Sequence, residues 1–151
     1  VNVFSAIISH FSIEFLDYRL YHLLDVLKNQ TEYHYTRASE YYLSALRAGV
    51  KNYSIQGHYD KAEKLAQKTL EVMNAFPELS MKLTQFIALS MERSCNFLRQ
   101  NDSYGLELAK HIFATLDHLE KTFPNQLLIR LREDFFSKVT QLNKTGQPLE
   151  Q

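Results

Sequence analysis

Apolar residues recur at intervals of three and four along most of this chain, which predicts helices. Ile13, Leu16, Leu20, Leu23, Leu24 and Leu27 line one face of a helix over Ile13–Lys28, capped by Ser12. The polar triplet Asn29-Gln30-Thr31 predicts a break, and a long helix follows from about Thr36 to Gln56, where Gly57 stops it. Asp60 opens a helix from Lys61 to about Asn74, and Pro77 breaks the chain again. Ser80 is the expected cap of a helix to about Gln100, and Asn101-Asp102-Ser103 reads as a turn before a helix to about Lys121. Thr122 and Pro124 mark the last break before a final helix from Asn125 to Leu142, with Leu128, Leu131, Phe135, Val139 and Leu142 on one face. Residues 1–11 are expected to form a broken first helix, and 143–151 a flexible tail after a helical domain over 1–142. Strict alternation of apolar and polar residues over a strand length is absent.

Connections of a few residues force consecutive helices to lie side by side and antiparallel. Six or seven such helices form either a closed bundle or an α-solenoid, and the segment from Ala45 to Pro77 points to the second. Tyr53, Gly57, Tyr59 and Ala62 fit the spacing of a tetratricopeptide repeat: an aromatic late in the first helix, glycine and tyrosine at the turn, a small residue on the second helix. Gly57 tolerates the left-handed backbone of a tight turn, Tyr59 fills the angle between the helices, and Ala62 lets them close. A weaker second copy places Phe97 and Asn101 where the first has Tyr53 and Gly57, whereas Leu106 falls where the first has Ala62. The turns lie 44 residues apart, against about 34 in the standard repeat, so the helices are longer. The expected fold is all-α: a right-handed, tetratricopeptide-like α-solenoid of antiparallel helix pairs.

Polar stripes run opposite the apolar ones. On the helix ending at Gln56 the stripe is Glu40, Ser44, Arg47, Lys51 and Ser54; on the helix ending at Gln100 it is Gln85, Glu92, Asn96 and Arg99, with Arg93 beside it. Such stripes are either solvated faces or the wall of a groove that grips an extended peptide through backbone and carboxylate hydrogen bonds. Arg47, Lys51, Glu92, Asn96 and Arg99 are the candidate peptide-binding residues. Tyr33, Tyr35, Tyr41 and Tyr42 crowd one segment, either for helix packing or to meet a partner.

Composition narrows the function. Seventeen basic residues balance seventeen acidic ones, so the domain offers no positive field to a phosphate backbone. No apolar run approaches the ~18–20 residues of a membrane span, and no signal peptide is visible. One cysteine, Cys95, allows no internal disulfide and fits a reducing, cytoplasmic setting; it reads as a small, partly buried packing residue. No two of the six histidines stand four apart; His111 and His118, seven apart, could share a face, but a metal site is not expected. There is no phosphate-binding glycine loop and no nucleophile elbow, and Glu133-Asp134 reads as ordinary helix surface. No enzyme, metal or cofactor is expected.

Residues 12–142 resemble the C-terminal domain of the Rgg/GadR/MutR group of bacterial transcriptional regulators. The resemblance rests on Ala45–Met73, with Asn52 and Tyr53 before Gly57 and Ala62, on the run Asn101-Asp102-Ser103-Tyr104-Gly105 before an amphipathic helix, and on the closing Leu131–Val139 helix. It implies a helical regulatory domain that forms a homodimer and senses a short signalling peptide, with DNA bound only through a separate N-terminal helix-turn-helix domain. No helix-turn-helix pattern is evident here, and a chain opening on Val1 fits a fragment or processed product holding the regulatory part alone. A helical-repeat adaptor for proteins, with no small ligand, is the rival expectation.

Overall fold

The computed structural model describes residues 12–31, 37–76 and 82–144, together with Gly146 and Leu149. Six α-helices occupy these residues: α1 (Ile13–Thr31), α2 (Arg37–Ile55), α3 (Tyr59–Ala75), α4 (Leu83–Arg99), α5 (Tyr104–Thr122) and α6 (Gln126–Leu142). There is no strand among the described residues. The all-helical expectation holds. The expected first helix over 1–11, Tyr33, Tyr35 and the Ser80 cap lie outside the described residues. Two boundaries move: α1 continues through Asn29, Gln30 and Thr31, because a polar triplet without glycine or proline does not interrupt backbone hydrogen bonding, and α3 opens at Tyr59, with His58 at the cap position and Asp60 inside the first turn.

The chain divides into two compact units, residues 1–89 and 90–151, with the boundary inside α4. In the first unit α1 packs on α2 and α3, and α2 packs on α3. Leu16, Leu20 and Leu27 of α1, Leu46, Val50 and Tyr53 of α2, and Leu65 and Met73 of α3 are fully buried. Burying each such side chain contributes about 1.5–3 kcal/mol, so this cluster holds the unit together. Phe86 and Leu89, from the start of α4, join the same core, and Lys82 pairs with Glu40 at 3.2 Å. Tyr42 packs on this core from its edge, whereas Tyr41 is exposed.

Beside the core lies a polar tie. Asp17 on α1 accepts hydrogen bonds from the Tyr53 hydroxyl and from Lys61 Nζ, the latter at 2.6 Å. Burial raises the Tyr53 phenol well above its ordinary range, and the Asp17 bond and charge raise it further. On Asp17 burial acts upward, but the Lys61 and Tyr53 hydrogen bonds and the Lys61 charge outweigh it and leave the carboxyl below its ordinary value. The repeat aromatic thus fills the core with its ring and fastens α2 to α1 with its hydroxyl, while Lys61 ties α3 to the same carboxylate.

The turn between α2 and α3 ends α2 as the spacing predicts. Gly57 has φ +85°, its N–H reaches the Ser54 carbonyl, and the His58 N–H reaches the Tyr53 carbonyl, the bond pair of a Schellman ending. The same pair recurs 44 residues on. Asn101 has φ +58°, its N–H reaches Leu98 O, and the Asp102 N–H reaches Phe97 O. The turn expected of the second copy therefore matches the first in its hydrogen bonds.

In the second unit α4 meets α5 at Gly105. A Cβ there would stand 2.7 Å from both the Leu98 nitrogen and the Ser94 carbonyl oxygen, and Ser94 Oγ donates to the Gly105 carbonyl at 2.7 Å. Gly105 makes a close approach in the second copy, one position before Leu106. Asn125, expected as the first residue of the last helix, is its cap, with Oδ1 accepting the Leu127 N–H at 2.7 Å.

Candidate cavity between the last two helices

The five residues proposed from the polar stripes belong to two different units. Arg47 and Lys51 lie on α2 in the first unit, half-buried and exposed; Glu92, Asn96 and Arg99 lie on α4 in the second. Asn96 is fully buried, at 0% exposure, so it is not a solvated groove residue. Ser54, from the other stripe, is also buried. The reason is local. The last two turns of α4 bury Ser94, Cys95, Asn96 and Leu98, a face much wider than one amphipathic stripe. Small polar side chains serve there as packing units. Asn52, at the equivalent place in the first copy, is buried too and accepts a hydrogen bond from Gln56 Nε2.

A better-formed site lies on the last two helices. Lys110, Phe113, Ala114 and Asp117 stand three or four apart on α5 and therefore share one face. Arg132 and Phe136 stand four apart on α6 and lie opposite. Together with Leu149 these side chains enclose a cavity of about 350 Å³, within the range of small-ligand sites.

Its construction follows from packing. α5 buries Leu106, Ala109, Ile112, Phe113 and Leu116, and α6 buries Phe135 and Val139. The Phe113 ring lies 5.1 Å from Phe135 and 5.9 Å from Phe136, both tilted, which sets the spacing of the two helices. Arg132 is held from two sides. Its Nε donates to Asp117 Oδ1 at 2.6 Å, and its guanidinium carbon sits 5.2 Å from the Phe113 ring centroid. The Arg132–Asp117 pair is half-exposed, so it adds little stability, about 0–1 kcal/mol, but it fixes where the guanidinium points. The result is an aromatic floor under a rim of two cations and one carboxylate. Such a site suits an apolar side chain carried next to an acidic group.

None of these residues was singled out in the sequence, although the 110, 113, 114, 117 spacing was there to be found. The expectation placed the groove on the first helix of each pair, and this cavity lies on the last two helices. Among the described residues no cluster of histidine, cysteine and carboxylate side chains has the makings of a metal site, and no helix is long and apolar enough to cross a membrane.

The helices and the duplicated turn define an all-helical protein compatible with the helical-repeat class. No protein family, no curated protein and no solved structure matches the chain.

Proposed function

We propose that this chain is a helical-repeat binding domain that takes a short peptide in the cavity between α5 and α6. The observation that carries the reading is the cavity itself: an aromatic floor, Arg132 held in place by Asp117 and Phe113, and Lys110 at the rim. The duplicated turn supports it, because paired helices that repeat are a common scaffold for peptide recognition. The resemblance to the Rgg/GadR/MutR regulators supplies the wider context: a cytoplasmic, homodimeric sensor domain acting through an attached DNA-binding domain.

The test is selection of random heptapeptides by display against the full chain, followed by fluorescence polarisation of the winners. The double variant Lys110→Ala, Arg132→Ala should bind them at least about tenfold more weakly, a loss of about 1.4 kcal/mol, while its circular dichroism is unchanged. Arg47→Ala with Lys51→Ala should bind as the parent does. The opposite pattern would move the site to α2 and reject the cavity.

A second reading, a protein adaptor without a small ligand, is favoured by large apolar side chains left in solvent: Tyr18, Ile55, Phe123 and Leu127 are all more than half exposed. Selection that yields no peptide, with stable capture of a folded protein instead, would support it.

A further inference from the structure

We propose that Leu149 is a tethered occupant of the α5–α6 cavity, standing where the aliphatic side chain of an incoming peptide goes, so that peptide binding requires its displacement. This rests on reading the cavity as the ligand site. Three observations carry it beyond that reading.

The first is position. α6 ends at Leu142, six residues past Phe136, or roughly 9 Å along the helix axis. Leu149 stands seven residues past Leu142, and an extended chain of that length spans at most about 25 Å. A segment simply continuing away from α6 would leave the cavity behind. Leu149 nonetheless lines it and is half-buried. The second observation is the backbone conformation of Asn143 and Gly146. Asn143 leaves the helix in extended conformation, its N–H still bonded to the Val139 carbonyl at 2.8 Å. Gly146 then adopts φ +75°, a left-handed backbone that reverses a chain readily only at glycine. A Cβ at Gly146 would meet nothing within 4 Å, so backbone conformation, not crowding, is what calls for glycine. The third is chemistry. Leu149 is an aliphatic residue lining the same cavity as the Phe113 and Phe136 rings, and Glu150 follows it in the sequence. The ligand class that follows is an extended peptide carrying leucine or a similar aliphatic residue beside an acidic one. A tether this short holds Leu149 at an effective concentration on the order of millimolar, enough to mask weak competitors and yield to strong ones.

The experiment labels leucine methyl groups with ¹³C in the full chain and assigns Leu149 by the signal that disappears in Leu149→Ala. Ring currents should shift that methyl signal upfield, and Phe136→Ala should return it toward the random-coil position while the circular dichroism is kept. The probe is the synthetic nonapeptide Asn-Lys-Thr-Gly-Gln-Pro-Leu-Glu-Gln, matching residues 143–151. It should bind the Leu149→Ala chain at least about tenfold more tightly than the parent chain, and the same peptide with alanine for leucine should lose that binding. A Leu149 methyl at its random-coil position, or equal binding of the nonapeptide to both chains, would overturn the proposal. If display-selected peptides still bind through Lys110 and Arg132 but are indifferent to Leu149→Ala, the tether falls and the site stands. If the methyl is shifted yet no peptide displaces it, both the competition and the peptide site fall.

Discussion

Gly105→Ala adds one methyl group at the closest approach in the second unit. The new Cβ would stand 2.7 Å from the Leu98 nitrogen and 2.7 Å from the Ser94 carbonyl oxygen, and 2.9 Å from Leu98 Cγ. Two of these three neighbours are backbone atoms of α4, which no side-chain rotation can move. Restoring ordinary contact near 3.4 Å asks the helices to part by about 0.7 Å. That separation stretches the 2.7 Å bond from Ser94 Oγ to the Gly105 carbonyl past the usual O–H···O range, a loss of up to about 1 kcal/mol. Overpacking adds about 1–3 kcal/mol, and alanine returns at most about 1 kcal/mol through helix propensity. The net expectation is destabilisation by about 1–3 kcal/mol. Gly57→Ala is the control, since φ is +85° there and a Cβ would touch nothing within 4 Å; its effect is conformational only, about 1–2 kcal/mol. Urea denaturation followed by circular dichroism at 222 nm and by tyrosine fluorescence measures both. Double variants with Ser94→Ala separate the mechanisms. Ser94→Ala removes the hydroxyl that bonds Gly105, so its effect should overlap with that of Gly105→Ala and add fully to that of Gly57→Ala. A Gly105→Ala chain with an unfolding midpoint equal to or above the parent's would refute the close approach.

The remaining predictions concern the polar tie and one cap. Tyr53→Phe removes the hydroxyl bonded to Asp17 and should destabilise by about 0.5–1.5 kcal/mol. Because the folded Tyr53 phenol is raised, its contribution is present below its unfolded value near pH 10 and is lost as pH climbs above that; alkaline denaturation of Tyr53→Phe should lack this part of the slope. Asp17 works in the opposite direction. Its lowered carboxyl contributes stability above about pH 4 that fades as pH falls through its folded value, so Asp17→Asn should flatten the acid limb of a stability–pH curve, and an unchanged limb would count against the tie. Asn125→Ala removes the cap of α6 and should lower stability by about 1 kcal/mol, read as a thermal shift, with Asn125→Asp close to the parent.

Helix existence was legible because it depends on local periodicity, and the leucines at 16, 20, 24 and 27 can bury together on nothing but a helix. The start of α6 near Asn125 was legible for the same reason, and its cap, not read from the sequence, is a contact between residues only two apart. What the pattern could not carry is anything that depends on which helix stands opposite. A stripe drawn opposite the apolar face assumes a single packing partner; the last turns of α4 bury a wider arc, and Asn96 and Ser94 go inside with it. The cavity shares this dependence. Arg132 lies fifteen residues from Asp117, and their meeting follows from the α5–α6 register set by Phe113 and Phe135, which no spacing rule within either helix contains.

The two turns show why the second copy looked weak. Each copy needs a left-handed residue to end its first helix and a small residue where the second helix closes on it. In the first copy glycine takes the turn and alanine the contact: Gly57 has open space around it and Ala62 is buried. In the second, asparagine takes the turn, at φ +58°, and glycine moves to the contact at residue 105. Asparagine tolerates the left-handed conformation well enough to release glycine from it, and the closer approach of α5 to α4 is what glycine alone admits. Matched letter by letter, Gly57 against Asn101 and Ala62 against Leu106 are two failures. Matched by the physical demand at each place, both are met, and the difference between the copies becomes a statement about how near each helix pair comes.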